Sequence, residues 1–249
     1  MDASLDAHLD AHTQRQEIQS LTAGFDPRLL PLMPAPVLAP QLAPEQLQAA
    51  FLRQRFARGL PDLAPIPLEL AERPWLDKPL TPSAVLLPLV QRDTLQVLLT
   101  QRAASLSNHS GQIAFAGGRI DPSDASAVAC ALREAHEEIG LAPEHIEVLG
   151  TLAPYTTGTA FEITPVVALV RPGFRLSLNP AEVDSAFEIA LPHLMNPQAH
   201  FQQQAQAGGV QRHWWAMPST DENGQERFVW GASAGILRNL YQFLRAENP

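Results

Sequence analysis

The sequence predicts an α/β protein of the α+β kind: a mixed central sheet with helices packed on it, behind a proline-rich, partly helical N-terminal extension. Three observations predict it. Strand-like apolar runs outnumber helical ones, the two do not alternate strictly, and proline crowds into two stretches ahead of them. The chain of 249 residues is long enough to bury a core without staples.

The extension comes first. Pro27, Pro31, Pro34, Pro36, Pro40 and Pro44 form one proline cluster, and Pro61, Pro65, Pro67, Pro74, Pro79 and Pro82 form a second. Proline fixes φ and removes a donor, so both stretches read as extended connectors. Between them, residues 44–60 read as a helix, with Leu47, Phe51, Phe56 and Leu60 on one face. Residues 1–75 thus read as an extension wrapped on, or tethered to, a main domain over residues 76–249.

In the main domain, residues 84–90 and 95–101 read as strands around a short turn at Arg92-Asp93. Residues 146–152, 163–170, 210–217 and 227–230 read as further strands, and residues 124–139 and 233–246 as helices. Trp214 and Trp215 would point to opposite faces of their strand, one into the core and one outward.

Composition narrows the function. The formal charge of −9 argues against a broad nucleic-acid-binding face. One cysteine, Cys130, rules out an intramolecular disulfide and a multi-cysteine zinc cage. On the first helix Cys130 reads as a partly buried filler. No apolar run is long enough to span a bilayer, and the polar start of the chain does not read as a signal peptide. A cytoplasmic setting, with no membrane partner, is the default expectation.

The chemistry concentrates on the helix over residues 124–139. Ser123 and Asp124 are suitable N-caps, and Gly140 suits the position after its end. With Glu134 at zero on a wheel of about 100° per residue, Glu137 and Glu138 fall at about −60° and about +40°. Val128, Leu132, Ala135 and Ile139 make an apolar face elsewhere. Three like charges within one turn are unfavourable by themselves. Just upstream, Gly117-Gly118 suggests a backbone that needs positive φ or a ligand's close approach. A glycine-rich loop followed by three carboxylates is a site for a hard cation such as magnesium, which takes oxygen ligands and bridges to phosphates.

The run Gly118, five residues, Asp124, eight residues, then Arg133-Glu134-Ala135-His136-Glu137-Glu138-Ile139-Gly140-Leu141 resembles the box of the Nudix hydrolases. The family's usual pattern has Glu where Asp124 stands and one residue fewer before Arg-Glu. The resemblance implies an αβα sandwich and hydrolysis of a nucleoside diphosphate linked to another moiety. It implies that Glu134, Glu137, Glu138 and the Gly118 carbonyl hold Mg2+ or Mn2+. Arg133 would orient Glu137, and either Glu134 or Glu182 would act as the base.

A narrower stretch, Leu98 to Ala103 with His109, Gly111 and Phe115-Ala116-Gly117-Gly118, is similar to the motif that precedes the box in coenzyme A pyrophosphatases. The segments 164–167, 179–183 and 230–234 are similar to the same subgroup. Ser107 stands where that subgroup usually has Arg, and Ala116 where it has Pro. The implied substrate is coenzyme A or an acyl-coenzyme A, with Arg102, His109, Gly117 and Gly118 as contacts. Tyr155 and Phe161, flanking a Thr/Gly loop, are candidates to line an adenine or pantetheine pocket, with the core as the alternative place for them. ADP-ribose, NADH or a nucleoside triphosphate are the alternative substrates. A Nudix-fold binding module without turnover is the alternative class, though such modules usually lose acids from the box. A homodimer is compatible with the fold, and nothing in the sequence fixes it.

Overall fold

A computed structural model describes residues 26–35, 40–59, 79–106, 110–207 and 210–246. In chain order the strands are β1 (Met33–Pro34), β2 (Thr81–Val90), β3 (Gln96–Arg102), β4 (Ile113–Ala114), β5 (Gly117–Arg119), β6 (Ile146–Thr151), β7 (Tyr155–Thr156), β8 (Phe161–Val170), β9 (Val183–Ala190), β10 (Phe201–Ala207), β11 (Val210–Thr220) and β12 (Glu226–Trp230). The helices are α1 (Ala49–Ala57), α2 (Ala127–Ile139), α3 (Leu191–Leu194) and α4 (Ala232–Arg245).

The main sheet is mixed. Its path runs β4-β3-β2-β8-β6, with β5 on β2, β7 on β8 and β9 on β3. β2 and β8 pair in parallel over their full lengths, and the other pairs are antiparallel. The side-chain period of two sorts β2 between two cores. Ala84, Leu86 and Val90 pack with Cys130, Ala131, Ala135 and Ile139 of α2. Leu87 and Leu89 face the other side, where Leu237, Leu240 and Leu244 of α4 and Leu52 of α1 close the core. The layers are helix, sheet, helix, as the expected sandwich requires. A second sheet, β1-β10-β11-β12, flanks the α4 side.

The described part of the extension is packed on the body. α1 is shorter than the expected helix, because Gln48 adopts an extended backbone (φ −99°, ψ 149°) between a 3-10 turn at Pro44–Leu47 and Ala49. Leu60 lies outside the described residues. Arg55 Nε donates to Phe243 O at 3.0 Å and Gln46 Nε2 to Leu244 O at 3.1 Å. These are last-turn carbonyls of α4, which have no partner within their own helix.

Among the longer strands, β9 and β10 went unread in the sequence, as did the two- and three-residue β1, β4, β5 and β7. β10 (FQQQAQA) has no apolar alternation and is held by its ladder with β11. Trp214 and Trp215 are both buried, against the expectation that one faces outward. Trp215 lies in the main core. The opposite face is covered, since Trp214 Nε1 donates to Gln203 Oε1 at 2.9 Å and its ring meets Trp230 edge-on.

Candidate active site at the end of helix α2

The N-cap of α2 is Ser126, whose Oγ accepts from Ala129 N at 3.1 Å, and neither Ser123 nor Asp124 caps it. Asp124 is otherwise engaged. Its carboxylate accepts from Asp121 N and takes Arg133 Nε and an Arg133 terminal nitrogen at 3.0 and 2.8 Å. At the far end, Gly140 is left-handed (φ 67°, ψ 18°), as the sequence predicts for that position.

The apolar face of α2 is buried, and so is Glu138, at 4% exposure. A solvated acidic face would leave it in water. Gly117 N donates to Glu138 Oε2 at 3.3 Å. Burial, then the negative charges of Glu134 and Glu182, push the Glu138 carboxyl up to about 7, against the Gly117 N–H and the Arg102 charge. Glu134 is half-buried and its pKa is also raised by burial, with Arg133 opposing. Glu137 is exposed.

Arg133 ties the acids together. One terminal nitrogen lies 2.9 Å from Glu134 Oε1 and 2.9 Å from Glu137 Oε2, while the rest of the fork holds Asp124. The fork therefore engages three carboxylates, where the sequence reading gave it Glu137 alone. Asp124, held first by its hydrogen bonds to Arg133, has its pKa lowered to about 2.

Gly117 and Gly118 are not among the residues with positive φ. They are required by close approach, and the neighbours are the protein's own atoms. A Cβ on Gly117 would stand 2.4 Å from Ala84 O, and one on Gly118 would stand 2.3 Å from Glu134 Oε1. Cys130, buried completely, points its Sγ at Arg119 O (3.3 Å), and burial pushes its thiol up to about 11.

The loop carrying Glu182 docks on this helix end. Asn179 N donates to Glu138 O, and Ala103 N donates to Glu182 O, each at 2.9 Å. The structure thus brings Glu134, Glu138, Glu182, Arg102, Gly117 and Gly118 to one place. Ser107 and His109 lie outside the described residues. Tyr155 is 2% exposed in the main core, with its ring against Gly235, so the core alternative holds for it. Phe161 is half-buried, with the Arg119 guanidinium 5.6 Å from its ring centre. Arg119 drew no attention in the sequence, although it directly follows the glycine pair. A cleft of about 520 Å3, between residues 41–49, 91–95 and 192–196, lies near the other end of β2, roughly 20–25 Å away at strand rise.

The family model for the NUDIX domain matches residues 80–218. The chain belongs to this family. As a member it is a pyrophosphohydrolase acting on nucleotide derivatives. Three proteins, each described as an uncharacterized Nudix hydrolase NudL, are similar to it. The one from Enterobacter sp. (strain 638) is 40% identical over 158 residues, covering 64% of this chain and 80% of its own length. That from Citrobacter koseri is 42% identical over 159 residues, with the same coverage. That from Escherichia coli (strain K12) is 39% identical over 159 residues, again covering 64% and 80%. A solved Nudix hydrolase from M. smegmatis, RenU, aligns with 25% identity and a TM-score of 0.39, over 46% of this chain and 73% of its own.

Nudix hydrolases generally use divalent metal ions, and the donors here suit one. Carboxylate oxygens are the ligands a hard divalent cation takes. Glu138 is a buried acid beside two other acids, a charge arrangement that a cation relieves. Among the described residues, no three metal-ligating side chains lie close enough to hold an ion as they stand. Arg133 engages one oxygen each of Glu134 and Glu137. No helix among the described residues is long and apolar enough to cross a membrane.

Proposed function

We propose that the chain hydrolyses the pyrophosphate bond of coenzyme A or an acyl-coenzyme A, giving 3′,5′-ADP and 4′-phosphopantetheine or its acyl form. The observation that carries this reading is the buried Glu138 carboxylate, one turn from Glu134 and within electrostatic reach of Arg102 and Glu182. Arg102 belongs to the stretch before the box that is similar to the coenzyme A subgroup.

In this reading Glu134, Glu137, Glu138 and the Gly118 carbonyl hold Mg2+ or Mn2+. When bound, the cation neutralises the diphosphate and makes water more acidic. Arg133 fixes Glu134 and Glu137 before the substrate arrives. Arg102 pairs with a substrate phosphate, and His109 contacts the substrate. Either Glu134 or Glu182 takes the proton from the attacking water, and burial raises the pKa of Glu134 toward that task. The attacked phosphorus gains the water oxygen, the bridging P–O bond breaks, and the other phosphate leaves. The protein works in the cytoplasm, and a homodimer is compatible with this arrangement.

Product chromatography on the purified protein with magnesium or manganese tests this, comparing coenzyme A, ADP-ribose, NADH and dGTP. The proposal requires coenzyme A or its thioester to be cleaved well above the others. Faster cleavage of another substrate would move the chain out of the coenzyme A branch.

A further inference from the structure

Strand β9 changes phase near its start. Phe187 and Ile189 pack in the main core on the α4 side, whereas Val183, also odd in number, packs in the core that α2 covers. Side chains of a regular strand alternate strictly, so one extra residue must intervene. The register locates it. Gln101 of β3 stands opposite Ser185, but Arg102 stands opposite Val183, so Asp184 is left without a partner on β3 and forms a bulge. Asp184 is exposed.

The bulge decides what meets Arg102. In an unbulged register Asp184 would stand opposite Arg102 on the α2 side, where a carboxylate would pair with the guanidinium. With the bulge Val183 takes that place, and among the described residues Arg102 makes no ion pair. The bulge also draws Glu182 forward by one residue, about 3.3 Å along the strand. Its carbonyl accepts from Ala103 N at 2.9 Å as a result. Bulges recur beside active sites because they re-aim side chains in this way.

Asp184 also holds the bulge that it forms. Its Oδ2 accepts from Ala104 N at 3.0 Å, which ties β9 to the chain leaving β3 just past Arg102. On the other side of that segment, Gly111 N donates to Arg102 O at 3.1 Å, and Ser110 Oγ donates to Ala104 O at 2.7 Å. The plain alternative is a surface hydrogen bond of no consequence, since water serves an exposed N–H nearly as well. That alternative does not account for the acceptor being the side chain of the one residue that the register leaves out.

We propose that Asp184 is a positioning residue for the hydrolysis: its hydrogen bond to Ala104 N latches the bulge, and so holds Arg102 and Glu182 beside Glu138. It acts through those residues and touches neither the substrate nor the metal. The inference rests on the roles proposed above for Arg102 and Glu182, and adds the group that sets their placement.

Steady-state kinetics of Asp184→Ala and Asp184→Asn test this, on the full chain in saturating magnesium with the substrate that it cleaves best. Asp184→Ala should lower kcat/KM at least about fivefold, as a displaced binding group does. Asparagine keeps an acceptor oxygen for Ala104 N, so the loss in Asp184→Asn should be smaller. Only one exposed hydrogen bond goes, so the Tm of Asp184→Ala should fall by no more than about 4 °C. In an Arg102→Gln background the same alanine substitution should cost a smaller factor than in the wild type, because groups that act as a unit are not additive. A lesser loss in Asp184→Ala, an equal loss in Asp184→Asn, or the same factor in both backgrounds would overturn the proposal. Wild-type kinetics of Arg102→Gln alone would count instead against the role given to Arg102 in the proposed function.

Discussion

Gly118 and Glu134 touch: a Cβ at position 118 would stand 2.3 Å from Glu134 Oε1. The glycine pair is therefore shaped by the catalytic helix and by strand β2, and each glycine has its own neighbour. Gly118→Ala presses on the end of a flexible side chain, which can move. Turnover should fall at least about tenfold as the Glu134 carboxylate shifts, with little change in Tm. Gly117→Ala meets backbone at Ala84 and Val85 and should cost about 1–3 kcal/mol of stability. Kinetics and thermal denaturation of the two variants, side by side, check this split.

Arg133 serves three carboxylates with one planar fork, at 2.8–3.0 Å. Lysine is a point charge and cannot reproduce that fork. Arg133→Lys should lower kcat roughly 10–100-fold, as for residues that orient a site without touching the reacting atoms. KM should change less than kcat. Steady-state kinetics at saturating metal would read this, and a change confined to KM would show that Arg133 binds substrate instead.

Much of the site was legible because its chemistry is local in sequence. Glu134, Glu137, Glu138 and Arg133 share one helix, and the glycine pair precedes it by a fixed spacing. The Gly140 helix stop was equally plain. What was missed depends on contacts distant in the chain. The burial of Glu138 needs the Asn179–Glu182 loop to dock, and no helical wheel contains that loop. Asp124 looks like a cap, yet Arg133 claims it once the chain turns at Asp121. Strand β10 carries glutamines because its place is set by backbone pairing to β11. Gln203, buried there, donates to Pro27 O and Leu30 O, a contact across more than 170 positions.

Leu52 of α1 is fully buried, in the same core as Leu237 and Leu240 of α4. Leu52→Ala should destabilise the whole protein by about 2–5 kcal/mol, in one cooperative transition. If α1 were only tethered, the variant would unfold at the wild-type denaturant midpoint.

His200 gives a pH signature. Arginine can only donate, so Arg238 at 2.8 Å fixes His200 Nδ1 as an acceptor, and Nε2–H donates to Leu194 O at 2.7 Å. Burial, then the Arg238 charge, lowers its pKa to about 4, although the Leu194 carbonyl opposes. The unfolded chain takes this proton first, near 6.5. Stability is thus complete above about pH 6.5 and declines as pH falls toward 4, by up to about 1.4 kcal/mol per pH unit. Urea denaturation at pH 7.5 and pH 5.0 should show the loss, and His200→Gln should flatten this component.

The central claim is that Glu138 is buried beside Glu134 for chemistry and at a cost to stability. The most direct measurement is Glu138→Gln, with turnover of the best substrate followed in magnesium and Tm followed in EDTA at pH 8. The account predicts at least a hundredfold loss of turnover together with an unchanged or higher Tm, because a buried charge among like charges has been removed. Near-normal turnover of the variant would contradict it.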